Sequence, residues 1–291
     1  MLFKDARVSQ IIFLGLFLWL GVSTRDWTVQ PDSILVVMAS CLATQWLLSA
    51  IVEYAKSDRE SNLTNIFRHL NILTSPKILT SLRSALITSL GLCLLLRSNS
   101  YQTMMLASFL AISSKFLFRH RNKHFFNPAN FGIIAAITLT NDAWVSPGQW
   151  GTDWWYLLLF LGLGGVVLKQ VGRWDTSIAF LLSYGTLEAI RNTWLGWSWD
   201  VWQHQFMSGS LLLFALFMLT DPRSIPNSQK GRLIWSLAIA FSTFILQHYF
   251  YLSTAIFWSL FIISPLTVLL DLVWTTPRFN WLRETKLPLT T

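Results

Sequence analysis

Positive charge alternates along this chain. Ten apolar segments run through it, at roughly 9–24, 33–54, 80–96, 100–118, 126–141, 154–171, 175–193, 203–220, 231–249 and 252–274. Of 22 Lys and Arg, nineteen fall on one side of the series: Lys4, Arg7, Lys56, Arg59, Arg68, Lys77, Arg83, Lys115, Arg119, Arg121, Lys123, Lys169, Arg173, Arg223, Lys230, Arg232, Arg278, Arg283 and Lys286. Only Arg25, Arg97 and Arg191 fall on the other. Positively charged loops stay in the cytoplasm. The pattern therefore predicts an all-α, polytopic membrane protein, one transmembrane domain over 1–291, with ten spans and both termini cytoplasmic in a bacterial inner membrane.

Composition agrees. Charged residues make up 12% of the chain, against about 25% in soluble domains, and the mean hydropathy is +0.47. A span needs about 20 apolar residues, with a range of about 17–25. Most segments fit, and 9–24, 80–96 and 126–141 are short. Topology and anionic lipid account for the net charge of +8, so nucleic acid is not an expected partner. Lys4 and Arg7 before the first run suggest a signal peptide, but Gly21-Val22-Ser23-Thr24 makes a poor cleavage site, which favours an uncleaved anchor. Leu63, Ile66, Phe67 and Leu70 have helical spacing, which fits a short surface helix or an ordinary connector.

Tryptophan supports the same map. Of 16 Trp, Trp144, Trp150, Trp154, Trp155, Trp194, Trp197, Trp199 and Trp202 flank two outer loops. They read as an interfacial belt or as a stacking platform for a flat ligand. Ten spans split five and five would place the second half upside down, the inverted-repeat architecture of many transporters.

Chemistry concentrates in Lys115 to Gly132, KFLFRHRNKHFFNPANFG. Asn127 is a good N-cap and Pro128 suits the first helical position. Span 5 should begin there, with its free N–H groups beside Arg119, Arg121 and Lys123. That arrangement suits a cofactor phosphate or a lipid head group, or it is only a basic flank before a capped helix. Ionisable residues within spans are functional candidates, yet Glu53, Lys169, Asp221 and Asp271 sit near inner span ends. Glu188, near an outer end, lies three residues before Arg191, where a helix would pair them. No charged ion path is visible. His120 and His124 lack the further ligands zinc needs, so no metal site is expected. His69, His204 and His248 fall at unmatched depths for a haem. Cys41 and Cys93 read as small buried hydrophobes. No catalytic nucleophile, P-loop or carboxylate pair appears.

Phe126-Asn127-Pro128-Ala129, followed by Asn130 and Gly132, resembles the FNPA motif of the NqrB/RnfD family, membrane subunits of sodium-pumping quinone reductase and Rnf electron-transport complexes. Thr220-Asp221-Pro222-Arg223, followed by Gly231-Arg232, is similar to that family's second signature, and Gly164-Gly165 before Lys169 and Arg173 is similar too. The resemblance covers about 40–275, and the tighter likeness is to stand-alone members. It implies a membrane subunit that holds a flavin within the bilayer and relays electrons to partner redox subunits. The family's FMN is esterified to a Thr in an SGAT-type motif. This chain has none, and among Thr140, Thr152, Thr176, Thr186 and Thr193 only Thr152 is near in location, with unmatched flanks. The expectation is FMN or riboflavin held non-covalently by Arg119, Arg121, Lys123, Asn127, Pro128, Asn130, Gly132, Thr220, Asp221, Pro222 and Arg223. The alternative is a small-molecule or ion permease of the inner membrane without a redox cofactor.

Overall fold

The apolar segments become helices because a chain in hydrocarbon must satisfy its own backbone N–H and C=O groups. In the computed structural model, described for residues 5–24, 29–60, 75–145, 154–279 and 281, the first half contains α1 (Ala6–Thr24), α2 (Pro31–Glu60), α3 (Pro76–Leu95), α4 (Tyr101–Leu117) and α5 (Pro128–Leu139). The second contains α6 (Trp154–Val171), α7 (Trp174–Trp194), α8 (Trp199–Phe206), α9 (Gly209–Leu213), a π-helix (Phe214–Met218), α10 (Gln229–His248), α11 (Ala255–Ile263) and α12 (Leu266–Val273). Caps set several starts. Ser75 accepts from the Ile78 N–H at 3.4 Å, with Pro76 at the first helical position, and Ser228 accepts from Gly231 at 3.0 Å.

Four of these helices, α1, α2, α3 and α6, are long and apolar enough to cross a membrane, and the bent pair α11–α12 counts as a fifth if it is one span. The protein is thus a helical membrane protein. Two expected spans differ from plain helices. The segment 203–220 is broken into α8, α9 and the π-helix, because Met207-Ser208-Gly209 interrupts its apolar run. The segment 252–274 bends by 45° between α11 and α12, where Pro265 has no N–H to continue the ladder. The Leu63–Leu70 segment and Thr152 lie outside the described residues, as do Lys4, Arg25, Arg68, Arg283 and Lys286.

The alternating charge is visible in which ends meet. Arg7 donates to the Thr80 carbonyl, Arg83 pairs with Asp5 at 2.9 Å, and Lys115 donates to Ser84. Those contacts gather the basic ends of α1, α3 and α4. At the opposite ends Thr24 meets Tyr156 at 2.6 Å, and Tyr101 donates to Gln30. There β1 (Leu96–Ser98) also pairs antiparallel with β4 (Ala143–Val145), Arg97 opposite Trp144. At the basic end β2 (Arg119–His120) and β3 (Lys123–His124) form a small hairpin.

Gly132 fixes the spacing of α4 and α5, since a Cβ there would sit 2.6 Å from the Ala107 carbonyl oxygen and 2.8 Å from the Ala111 Cβ. Gly165, on α6, faces open space. Gly132→Ala should therefore lower stability by about 1–3 kcal/mol through overpacking. Gly165→Ala should be neutral or stabilising, given the helix propensity of Ala. Thermal unfolding of both variants in detergent checks the contrast.

Candidate functional site

Asn127 joins the two sequence motifs. Its Oδ1 accepts from the Asn130 N–H at 3.1 Å and caps α5. Its Nδ2 donates to the Met218 carbonyl, the last of the π-helix, at 3.1 Å. Within the π-helix the Leu219 N–H reaches back to Phe214, at 2.9 Å. Side chains satisfy carbonyls along this stretch: Ser177 of α7 donates to Ala215 at 2.6 Å, and Thr220 donates to Leu216 at 2.8 Å. Gly164 lets α6 approach, since a Cβ there would lie 2.7 Å from Leu216 Cδ1. Asn130 is buried and donates to the Phe257 carbonyl of α11 at 3.0 Å.

The loop after the π-helix is held by charge. Asp221 accepts from the Arg223 N–H at 3.1 Å, and its other oxygen lies 3.6 Å from His124 Nε2. Lys123 bonds Asp271 at 2.6 Å and the Ile225 carbonyl at 2.5 Å. Asp271 in turn accepts from the Asn227 N–H at 2.7 Å. Gly231-Arg232 is similarly structural. Buried Arg232 grips Asp175 with two nitrogens, Nε at 2.9 Å and Nη2 at 2.7 Å, and donates to the Asn227 carbonyl.

Above this loop lies a cavity of about 820 Å³, solvent space at its open mouth included, between α1, α3, the start of α5, α6 and the π-helix. Its walls are apolar: Leu14, Leu94, Leu95, Val167, Leu213 and Phe217. Its polar end holds Arg7, Gln10, His124, Asn127, Asp221 and Arg223. Burial pushes the His124 imidazole below its usual 6.5, although Asp221 pulls the other way. Burial would raise the Asp221 carboxyl. The His124 contact, the Arg223 N–H and the Lys115 charge outweigh it and hold the group below 3.8. The cavity thus combines an apolar interior with a polar end carrying a carboxylate and two guanidinium groups.

Of the residues singled out in the sequence, Asn127, Pro128, Thr220, Asp221, Pro222 and Arg223 line this cavity together. The others serve elsewhere. Asn130 and Gly132 pack α5 against its neighbours. Arg119 turns back to the Lys115 carbonyl and lies over the Phe116 ring, 4.7 Å from its centre. Arg121 and Lys123 line a separate recess. Sequence reasoning missed Arg7, Gln10 and Trp281, which reach the cavity from the two ends of the chain. Arg7 stands over the Trp281 ring, 5.2 Å from its centre. No local spacing announces such a meeting. Glu188 does not pair with Arg191 as helical spacing suggested. It is 2% exposed, and its carboxylate lies 2.6 Å from His248 Nε2 on α10, while Arg191 stacks over Trp197.

A helical membrane bundle whose cavity forms at the junction of a capped short helix and a π-helix defines the class. Comparison with known proteins gives a family likeness: residues 138–280 match the profile of the NQR2, RnfD, RnfE family. The match contains Thr220-Asp221-Pro222 and Gly231-Arg232 and begins after Phe126–Ala129. Similar proteins include the D subunit of the ion-translocating oxidoreductase complex of Stutzerimonas stutzeri, 30% identical over 122 residues, which is 40% of this chain and 33% of that one. The corresponding proteins of Psychromonas ingrahamii (32% over 114 residues, 37% and 31%) and Tolumonas auensis (26% over 141 residues, 48% and 39%) are also similar. The chain thus matches about a third of the length of these relatives.

Two outcomes follow from the site. Asn127→Ala loses a cap and a buried hydrogen bond, and should destabilise by about 2–4 kcal/mol. Asn127→Asp keeps the cap acceptor but not the donor to Met218, so it should stay below the wild type by about 1–3 kcal/mol. Denaturant unfolding in detergent measures both. Acid should also weaken the fold. The folded state resists protonating His124, so stability falls as pH drops below 6.5. A second loss begins below 3.8 as the unfolded chain protonates its Asp221 equivalent first. His124→Gln should flatten the first loss in a plot of melting temperature against pH and also shrink the second, since the His124 contact helps to hold the Asp221 carboxyl low.

Proposed function

We propose that this chain is the membrane subunit of an NqrB/RnfD-like electron-transport system, and that its cavity holds a flavin, FMN or riboflavin, without a covalent bond. The observation that carries the reading is the cavity itself. It pairs apolar walls with a few convergent polar groups, the division of labour that ligand sites show. A flat ring system with an anionic end fits that division. Phe217 and the aliphatic wall would hold the ring, and Arg223 would hold a phosphate, Arg7 being paired with Asp5 at 2.8 Å. A flavin bound there would supply one- and two-electron chemistry. The chain's own part is to exclude water along the apolar wall, orient the ligand by its charged end, and present His124 with Asp221 where a proton can be held. Partner redox subunits would deliver the electrons, consistent with relatives that are subunits of an oxidoreductase complex.

The proposed topology is ten crossings of a bacterial inner membrane with both termini cytoplasmic. The meeting of Arg7, Arg83 and Lys115 at one end of the bundle supports it, since alternate spans must bring their basic flanks together.

The visible spectrum of the purified protein tests the cofactor. Flavin absorbance that acid releases into the supernatant is the expected result. Absorbance that stays with the precipitate would mean covalent attachment instead. A colourless protein from a flavin-replete host would overturn the reading and favour a permease. Arg223→Ala should weaken flavin retention by about tenfold or more, the scale of a charge-assisted hydrogen bond, while Arg121→Gly should leave it unchanged.

A further inference from the structure

The basic cluster that leads into α5 contributes only His124 to the cavity just described, and it has a recess of its own. This recess, about 450 Å³, lies between the β2–β3 hairpin and the end of α12, and is lined by His120, Arg121, Lys123, Thr275, Thr276 and Arg278 among others. Lys123 is neutralised there by Asp271, at 2.6 Å. Arg121 and Arg278 make no ion pair among the described residues, which leaves two uncompensated guanidinium groups at the rim. The Nε2 of His120, shielded from solvent, has no hydrogen-bond partner among the described residues. Thr275 and Thr276 add two hydroxyls.

Backbone strain points to the same place. The hairpin turns through Arg121 and Asn122 with φ of 47° and 63°, the two positive angles of a type I′ turn. Asn tolerates this region, whereas Arg is held there at a cost. An apolar face continues from the rim. Leu269, Leu272 and Val273 on α12, at helical spacing, are 59%, 45% and 69% exposed, and Leu272 itself lines the recess.

We infer that this recess binds one anionic phospholipid at the cytoplasmic face, its phosphate between Arg121 and Arg278 and its acyl chains along Leu269, Leu272 and Val273. Two positive charges with hydroxyl donors suit a phosphodiester, and only a lipid also covers an exposed apolar helix face that starts at the same rim. The site lies apart from the cavity assigned to flavin and does not rest on that assignment.

Native mass spectrometry of the full chain tests it, after equilibration in detergent with equal phosphatidylglycerol and phosphatidylcholine. The wild type should retain one phosphatidylglycerol in preference to phosphatidylcholine. Arg121→Gly/Arg278→Ala should lower that retention by about 10–30-fold, on the scale of two basic groups near an anionic headgroup. Gly suits the turn angle, and Arg278 is exposed, so this variant keeps the fold. Lys77→Ala/Lys230→Ala, which removes two exposed charges elsewhere at the basic end, should retain lipid like the wild type. Equal loss in both double variants would reduce the effect to net charge and overturn the site. So would unchanged retention in the first, or displacement of the lipid by millimolar inorganic phosphate.

Discussion

Much of this structure depends on one side-chain amide. A π-helix inside a membrane bundle disturbs the regular ladder, and no water is present to satisfy what it frees. Asn127 resolves this by accepting from the start of α5 and donating to the Met218 carbonyl. One residue thereby holds a helix start and a helix defect in fixed relation, and the cavity floor is the space between them. Asn is suited to this because its amide carries both acceptor and donor. The motif at 126–129 and the motif at 220–223 are thus one mechanical unit, though about ninety residues separate them.

Charge at the basic end is divided by function. Lys123–Asp271 and Arg232–Asp175 are shielded, hydrogen-bonded pairs that tie loops to helix ends. Breaking such a pair strands a charge, so their task is to fix geometry. The cations that remain for ligands are those without an acid of their own in the recess, Arg121 and Arg278, together with Arg223 at the cavity. Arg7 serves both ends, pairing with Asp5 and covering Trp281. A basic cluster that the sequence presents as one unit becomes three in space.

The end opposite the basic one carries a further tie. Glu188 and His248 meet between α7 and α10, beside Tyr184, which donates to Gln247 at 2.8 Å. Helical spacing within α7 offered Arg191 as the partner, but spacing reports neighbours along one helix only. Glu188 faces the bundle and Arg191 turns to Trp197, so the pairing is settled by helix packing.

By itself the sequence determined the helical membrane class, the gathering of basic residues at alternate segment ends, the start of α5 at Asn127-Pro128 and the two motifs that meet at the cavity. These are legible because hydrophobic length, charge asymmetry and helix caps act over one to twenty residues. Only the tertiary structure decided that the segment 203–220 breaks into a π-helix, that Arg119, Arg121 and Lys123 leave the cavity, and that Arg7 and Trp281 enter it. Those outcomes depend on which side chain reaches which carbonyl across helices. Contacts such as Asn127 with Met218 and Lys123 with Asp271 join residues 91 and 148 positions apart, a separation at which no local pattern carries information.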